Sequence, residues 1–358
     1  MKVLYIGYQA LNLRDSGGGL GCIRNHDSLV SVCGVGNLDT IVLDGTSRPS
    51  LSQKIKNNLV RIIKKHPFPI DQLKDLDFSK FDIIYIDSSR LGNIAKELRK
   101  KSYKGKIITF YHNFDYKFVK DLYKNASWLK RWINVRVSLE NEKNAVRYSD
   151  VNVILNIRDG NELNDFYGMK NQFRIPVSLA DRYIDDSQYE NPYIDKSKPN
   201  FLFVGSHFFG NLIGLEWFMK NVYPKVNMNF TIVGQGMDKL KDNTLYKGVN
   251  IYSNVPDVGP FLKYADCMLM PIICGSGMKV KTCEALMFGK NIIGTEEAFE
   301  GYDIDFDKVG GKCSTPDDFI QAINSFDKEL FNNYSREIYL SKYSQEATLK
   351  LFNKLING

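Results

Sequence analysis

The feature that most constrains this chain is the stretch 266–301, in which two short apolar runs flank a helical pattern. Cys267–Pro271 is short enough to be a strand buried on both faces, and Asn291–Thr295 is a second run of this kind. Between them, the glycine turn Gly275–Gly277 opens a predicted helix that extends to about Phe288. The stretch therefore predicts a βαβ unit. At its glycine turn, free backbone N–H groups and the helix dipole favour an anionic ligand.

The charged side chains of this predicted helix suit a nucleoside diphosphate. Lys279 lies just inside the predicted first turn, while Lys281 and Glu284 share the face next to the apolar stripe. Two ammonium groups suit a diphosphate, and a carboxylate one turn later can accept hydrogen bonds from both ribose hydroxyls. The alternative is a solvated helix face with an incidental i,i+3 ion pair. The position behind a glycine turn and between two buried strands favours the ligand site.

Residues 271–301, PIICGSGMKVKTCEALMFGKNIIGTEEAFEG, resemble the nucleotide-binding segment of the GT-B glycosyltransferases, in the group called family 4 or group 1. That segment has a Gly-rich turn, a Lys, the pattern E-A-L-x-x-G and a hydrophobic strand ending in Thr. The resemblance implies a donor site formed by Gly275, Ser276, Gly277, Met278, Lys279, Lys281 and Glu284. Ser276 is a departure, because the commonest form of the family has a second Glu eight residues before the helix Glu. A subgroup with Gly-Ser-Gly or Gly-Ala-Gly in this turn is more similar.

Length and composition fit a cytosolic α/β protein. A chain of 358 residues is about right for two α/β domains, and its net charge of +7 suits acidic small ligands or an anionic membrane surface better than nucleic acid. The six cysteines have no C-x-x-C spacing and are expected to be reduced. The four histidines have no zinc-site spacing, so no metal is expected. With no apolar run of eighteen residues and no signal peptide, we expect a cytoplasmic protein, and the alternative is one that is peripheral at the inner face of the membrane.

The amino-terminal half begins with a predicted buried strand, Lys2–Tyr8, followed by a cluster of glycines and a helix to about Cys33. With Asp44 the cluster could form a dinucleotide fingerprint, but eight residues separate the strand from the glycines, and the fingerprint needs the turn at once. In GT-B enzymes a Gly-rich loop here faces the cleft between domains. The resemblance therefore implies an acceptor or cleft loop at Gly17, Gly18 and Gly19. A plain flexible loop is the other alternative.

Two further strands, Asp82–Asp87 and Lys106–Tyr111, follow in the same half. His112 comes directly after the second strand, at the end where α/β folds place ligand groups. It also resembles the first-domain His that many family members direct at the donor sugar, and the alternative is a hydrogen-bonded structural histidine. His66, beside two prolines, is expected to lie in a surface loop.

A basic helical segment, 120–147, carries Trp128 and Trp132. Aromatic and basic residues together could lie on a membrane surface, as in peripheral enzymes that use lipid-linked acceptors. The alternative, which we favour from sequence, is a helix packed on the sheet with its tryptophans in the core.

The second half restarts the strand–turn–helix cycle at Asn200–Gly205, as expected for two Rossmann-like halves. Gly205 and Ser206 resemble the donor-binding opening of the family's second domain. The acidic run at Asp303, Asp305 and Asp307 is expected to be a solvated loop. The predicted domains are 1–178, a linker 179–199, a nucleotide-sugar domain 200–340 and a helix 341–358 returning to the first domain.

These observations predict an α/β protein of the GT-B type, with two Rossmann-like domains facing across a cleft. The resemblance implies transfer of a sugar from a nucleoside diphosphate sugar such as a UDP-sugar to a hydroxyl acceptor, which could be a glycan, lipid-linked or protein-linked. Lys281 and Glu284 would act in the second domain and His112 in the first, with retention of configuration implied by the family and no cofactor or metal. Two alternatives are a catalytically silent GT-B subunit, suggested by Ser276, and a GT-B sugar epimerase or phosphorylase.

Overall fold

The computed structural model describes residues 1–8, 11, 17–43, 59, 61–63, 65–68, 70–183, 189–195, 197–327 and 330–358. The chain divides into two compact units, Met1–Pro176 with Thr348–Gly358, and Val177–Ala347. Among the described residues, each unit has a six-stranded sheet in which every strand pair is parallel. The α/β prediction is confirmed. Asp44 lies outside the described residues, as does most of the segment 50–65, whose sequence pattern predicts an amphipathic helix.

The first unit is built on strands of short apolar runs with helices between them. Its elements are β1 (Val3–Gly7), α1 (Gly17–Cys33), β2 (Leu38–Val42), β3 (Ile83–Ile86), α2 (Gly92–Lys100), β4 (Lys106–Tyr111), α3 (Asp115–Leu122), α4 (Trp128–Tyr148), β5 (Val151–Ile154), α5 (Ile157–Tyr167) and β6 (Gln172–Arg174). The strand order is β2-β1-β3-β4-β5-β6, so the chain changes direction across the sheet between β1 and β3. In such sheets, ligands bind beyond the carboxyl ends of the strands at this point.

The second unit repeats the plan. Its elements are β7 (Asn200–Val204), α6 (Phe209–Asn221), β8 (Asn229–Gly234), β9 (Asn250–Ser253), α7 (Gly259–Tyr264), β10 (Cys267–Met270), α8 (Val280–Met287), β11 (Asn291–Gly294), α9 (Phe306–Val309), β12 (Gly310–Lys312), α10 (Pro316–Asn324) and α11 (Asn333–Ile338). The last helix, α12 (Gln345–Asn357), contributes most of its length to the first unit. The strand order β12-β11-β10-β7-β8-β9 is that of the dinucleotide-binding fold, with its change of direction between β7 and β10.

Both glycine-rich stretches differ from the prediction at their helix boundaries. Helix α1 begins at Gly17, so Gly17, Gly18 and Gly19 form its first turn instead of a loop before it. Helix α8 begins only at Val280, because Gly277 has a φ of 63° and a left-handed residue cannot lie inside a right-handed helix. Lys279 is consequently the N-cap residue and not part of the first turn.

Two expectations about the first unit are wrong. His66 is buried, with 1% of its surface exposed, and its ring nitrogen Nε2 lies 2.9 Å from Glu97 Oε1. The predicted long helix is interrupted after Leu122, and the first turns of α4 do not reach the core. Trp128 and Trp132 are therefore 77% and 50% exposed. Within the described residues, no helix is both long and apolar enough to cross a membrane.

Candidate functional site

The predicted donor residues lie at the carboxyl edge of the second sheet, next to the adjacent strands β7 and β10, where the strand order changes direction. Gly205 follows β7, and its N–H donates to the Val233 carbonyl at 2.9 Å. A Cβ atom at Gly205 would lie 3.0 Å from Lys281 Nζ and 2.8 Å from Asn211 Nδ2. Any larger residue at this position would require these side chains to shift. The structure thus brings the Gly205 turn and the α8 lysine together, although 76 positions of sequence separate them.

Lys281 is held at this point by neutral groups. Its Nζ donates to Asn211 Oδ1 at 2.6 Å and lies 4.4 Å from the centroid of the Phe203 ring. The Asn211 amide is positioned in turn by the Ser206 carbonyl, to which its Nδ2 donates at 2.8 Å. Burial lowers the pKa of Lys281 to about 7; the Lys279 charge acts in the same direction and Glu284 opposes it. An ammonium group with an amide and an aromatic ring as its partners can still gain from a nearby anion.

Lys279 is already paired. Its Nζ donates to Glu297 Oε1 at 2.7 Å and to the Gly277 carbonyl at 2.9 Å, with the Ser276 carbonyl at 3.4 Å. Gly275 lies against the same side chain, since a Cβ atom there would be 3.2 Å from Lys279 Cε. The two lysines of the predicted site therefore differ. Lys281 contacts neutral groups, whereas Lys279 bonds both to carbonyl groups of the glycine turn and to the Glu297 carboxylate.

Two further predicted donor residues, Glu284 and Met278, are buried. Glu284 is 8% exposed, and its Oε1 accepts from Arg182 Nη2 at 3.1 Å. Burial raises the pKa of Glu284, while Arg182 and Lys281 oppose that shift. Met278 is also buried, and its sulfur accepts the Val177 N–H at 3.4 Å. The alternative of a solvated helix face is excluded for Glu284.

Sequence reasoning missed Arg182 and Glu297. Arg182 belongs to an aperiodic stretch, so no local pattern marks it as the partner of a helix residue 102 positions later. Glu297 could have been found, because it lies in the turn that follows the carboxyl end of β11. Parallel sheets place ligand groups at this edge.

In the first unit, His112 follows β4 at the corresponding sheet edge. Its Nε2 donates to the Asp87 carbonyl at 2.9 Å and lies 3.7 Å from Cys22 Sγ. A Cβ atom at Gly21 would lie 3.2 Å from Nδ1, so α1 packs closely on the ring. His112 is thus oriented by the fold and partly exposed, which is compatible with both roles predicted for it.

Cys22, Asp87 and His112 also have metal-ligand atoms within 4.8 Å of one another, a proximity that the sequence spacing did not predict. Their contacts fit a hydrogen-bond network better than a metal site. His112 Nε2 donates to a carbonyl, and the Asp87 carboxylate accepts from Tyr5 Oη at 2.6 Å and Asn25 Nδ2 at 2.5 Å. Burial raises the pKa of the Cys22 thiol far above its usual range, so the thiolate that binds metals is disfavoured.

Several solved structures superimpose on the whole length, or nearly the whole length, of this chain. Sucrose-phosphate synthase from Thermosynechococcus elongatus superimposes with a TM-score of 0.74 at 12% identity, covering 100% of this chain and 98% of that one. WaaG, a glycosyltransferase involved in lipopolysaccharide biosynthesis, has a TM-score of 0.62 at 13% identity, with coverage of 99% and 100%. Anabaena Alr3699/HepE in complex with UDP has a TM-score of 0.61 at 12% identity and covers 100% of both chains. No curated protein matches by sequence.

These matches define the protein as one with the GT-B fold. Residues 198–326 match the family model described as "Glycosyl transferases group 1". That segment contains every predicted donor residue of the second unit, from Gly205 to Glu284. The GT-B fold expected from the sequence is confirmed, and residues 198–326 within it are similar to group 1 glycosyltransferases.

Proposed function

We propose that the protein transfers a glycosyl group from a nucleoside diphosphate sugar to a hydroxyl acceptor, with retention of configuration and without a metal ion. A UDP-sugar is the favoured donor, since a protein of similar fold binds UDP. We further propose that the acceptor is a glycan or a lipid-linked or protein-linked molecule.

One observation carries the proposal: Lys281 lies at the switch point of the second sheet among Gly205, Asn211 and Phe203. A diphosphate at this position would give the buried ammonium an anionic partner. As the bond to the sugar breaks, negative charge grows on the leaving diphosphate, and a fixed ammonium stabilises that charge more strongly than it stabilises the bound donor. In this proposal Lys281 does the work that a divalent ion does in other transferases.

Glu284 would accept the two ribose hydroxyls while Arg182 fixes its orientation. Glu297 would provide a carboxylate beside the glycine turn, where Ser276 leaves the sequence without the family's second Glu. Because Lys279 holds Glu297 at 2.7 Å, the carboxylate is anchored next to the amides of Gly275–Gly277. His112 is proposed to contact the donor sugar during transfer.

The first test is thermal unfolding with UDP, with and without EDTA. A ligand that binds only the folded state raises the unfolding midpoint. At a ligand concentration a hundredfold above Kd, the free energy of unfolding increases by about 2.7 kcal/mol. We expect the same shift in EDTA, a clearly smaller shift in Lys281→Gln, and a parental shift in Lys220→Gln. Lys220 is a suitable control because it forms an exposed pair with Glu216 on α6. A shift that disappears in EDTA would refute the metal-independent mechanism.

Catalysis is tested separately by incubating the lone chain with UDP-sugars and measuring UDP release. Release by the parent, and not by Lys281→Gln, supports the transferase. Binding of UDP without any release, on addition of glycan and lipid-linked acceptors, would instead assign a catalytically silent GT-B subunit. Ser276 keeps this second function open.

A further inference from the structure

The first unit carries an exposed aromatic and aliphatic surface that the proposed reaction does not use. It consists of Leu122 at the end of α3 and of Trp128, Leu129 and Trp132 in the first turns of α4, and we call it the tryptophan surface. Leu122 is 41% exposed, Trp128 is 77% exposed, and Leu129 and Trp132 are each 50% exposed. Large apolar side chains that cluster in this way mark interaction sites on proteins.

The tryptophan surface extends toward the segment before β3. Arg61 lines the same small cavity as Leu122 and Asn134, and its Nε donates to the Pro67 carbonyl at 3.1 Å. The next two residues, Ile62 and Ile63, are both mainly exposed. Exposed apolar side chains thus also occur directly after the residue that shares this cavity with Leu122.

Basic side chains surround these apolar groups. Residues 120–136 contain five cations and one acid, Asp121, a net charge of 5 − 1 = +4. The cations are Lys120, Lys124, Lys130, Arg131 and Arg136, all exposed. The Arg136 guanidinium lies 5.0 Å from the Trp132 ring, and Lys130 Nζ lies 5.7 Å from the Tyr123 ring. Within the described residues, none of the five forms an ion pair with an acidic side chain.

We propose that the tryptophan surface docks on an anionic lipid bilayer. Tryptophan rings are favoured at the headgroup level, where an apolar body and a polar N–H are both accommodated, and lysine or arginine chains extend from there to anionic headgroups. The first turn of α4 is exposed all round, since Trp128, Leu129, Lys130 and Arg131 all face solvent. An anionic bilayer complements the net charge of +4 in this segment, and its headgroup region accommodates aromatic rings and cationic side chains together.

The chain offers a direct spectroscopic test, because Trp217 is its only tryptophan besides Trp128 and Trp132. In Trp217→Phe, all tryptophan emission comes from the proposed docking surface. We expect a blue shift on adding vesicles of phosphatidylcholine with phosphatidylglycerol, and quenching when the lipid chains carry bromine. Vesicles of phosphatidylcholine alone should cause a much smaller change, and added salt should weaken binding to the anionic vesicles. Emission unchanged by anionic vesicles would overturn the proposal.

Vesicle co-sedimentation of the full chain separates the two contributions. Trp128→Ser with Trp132→Ser should reduce the partition coefficient at least tenfold. Lys130→Gln with Arg131→Gln should reduce it roughly 25-fold on anionic vesicles only, since each cation contributes about a factor of five. Ile194→Ser is the matched control, because Ile194 is 96% exposed in the other unit and should not affect binding.

Other occupants give distinguishable results. A second copy of the chain would produce a concentration-dependent dimer that the double tryptophan variant abolishes, with no vesicle binding by the parent. A protein partner would likewise leave both kinds of vesicle unbound. Either result overturns lipid docking. Circular dichroism and unfolding midpoints of the variants establish that they are folded, and the test is independent of the proposed reaction because no substrate is present.

Discussion

Nucleotide binding should take up a proton at Lys281. In the free protein, burial lowers the pKa of this lysine from an ordinary 10.5 to about 7, so near pH 8 most molecules carry a neutral amine. A bound diphosphate favours the charged form and raises the pKa again. Because the bound state holds more protons than the free state, UDP affinity is highest below pH 7 and falls as the pH rises.

The size of the effect follows from the two pKa values. If the diphosphate restores the ordinary 10.5, affinity falls roughly fivefold between pH 7 and 8 and about ninefold between pH 8 and 9. At pH 8 the same values predict uptake of about 0.9 proton per nucleotide.

Titration calorimetry in two buffers of different ionisation enthalpy measures this uptake directly, since the apparent binding enthalpy changes with the buffer in proportion to the protons exchanged. Lys281→Gln, which cannot titrate, should bind more weakly and show no uptake. Lys220→Gln, on the exposed face of α6, should behave like the parent. No uptake by the parent at pH 8, or equal uptake by Lys281→Gln, would refute the assignment of Lys281 to the diphosphate.

Three further predictions concern single side chains. Glu284→Gln should lose about 1–2 kcal/mol of UDP affinity, measured by calorimetry, because charge-assisted hydrogen bonds to the ribose become neutral. Its unfolding midpoint should stay unchanged, because burial already disfavours the charged form of Glu284. Parental affinity would exclude ribose contact. His112→Asn should bind UDP normally and turn over about 100-fold more slowly, and full initial rates would leave His112 a structural role only. Burial, then the Asp115 charge, raise the pKa of Glu142 well above 4.5, so its contribution to stability is present below that value and lost as pH rises. Glu142→Gln should therefore flatten the dependence of unfolding free energy on pH in urea titrations, and an unchanged slope would contradict this.

The sequence correctly predicted that the donor-site helix α8 exists, but not the residue at which it begins. The apolar runs and the residue types of α8 identify a buried βαβ unit from spacing alone, and Cys283 and Met287 are buried as expected. The start of the helix depends on the backbone of Gly277, which occupies the left-handed region, and a glycine in a sequence does not disclose its φ angle. The sequence places Glu297 just after β11 but does not predict its pairing with Lys279, which depends on where that turn lies in space.

The burial of individual side chains was the least predictable property. His66 resembled a loop residue because prolines follow it, yet its ring lies inside the first unit on Glu97. The opposite error concerns Trp128 and Trp132, which were expected in the core but are exposed. In both cases a long-range packing partner, or its absence, decides the outcome, and local hydrophobicity carries no information on either.

The chain order of the first unit has a consequence for biosynthesis. Its last segment, Thr348–Gly358, follows the whole second unit in the chain but packs in the first. There Phe352 is fully buried beside the Arg24 guanidinium, and Lys106 Nζ donates to the Leu355 carbonyl at 3.0 Å. On the ribosome, domains generally fold in the order in which they emerge. The first unit cannot complete its folding, and the apolar surface that covers Phe352 stays exposed, until the second unit has been translated. A premature stop codon just before Thr348 would therefore damage the earliest part of the protein to be made.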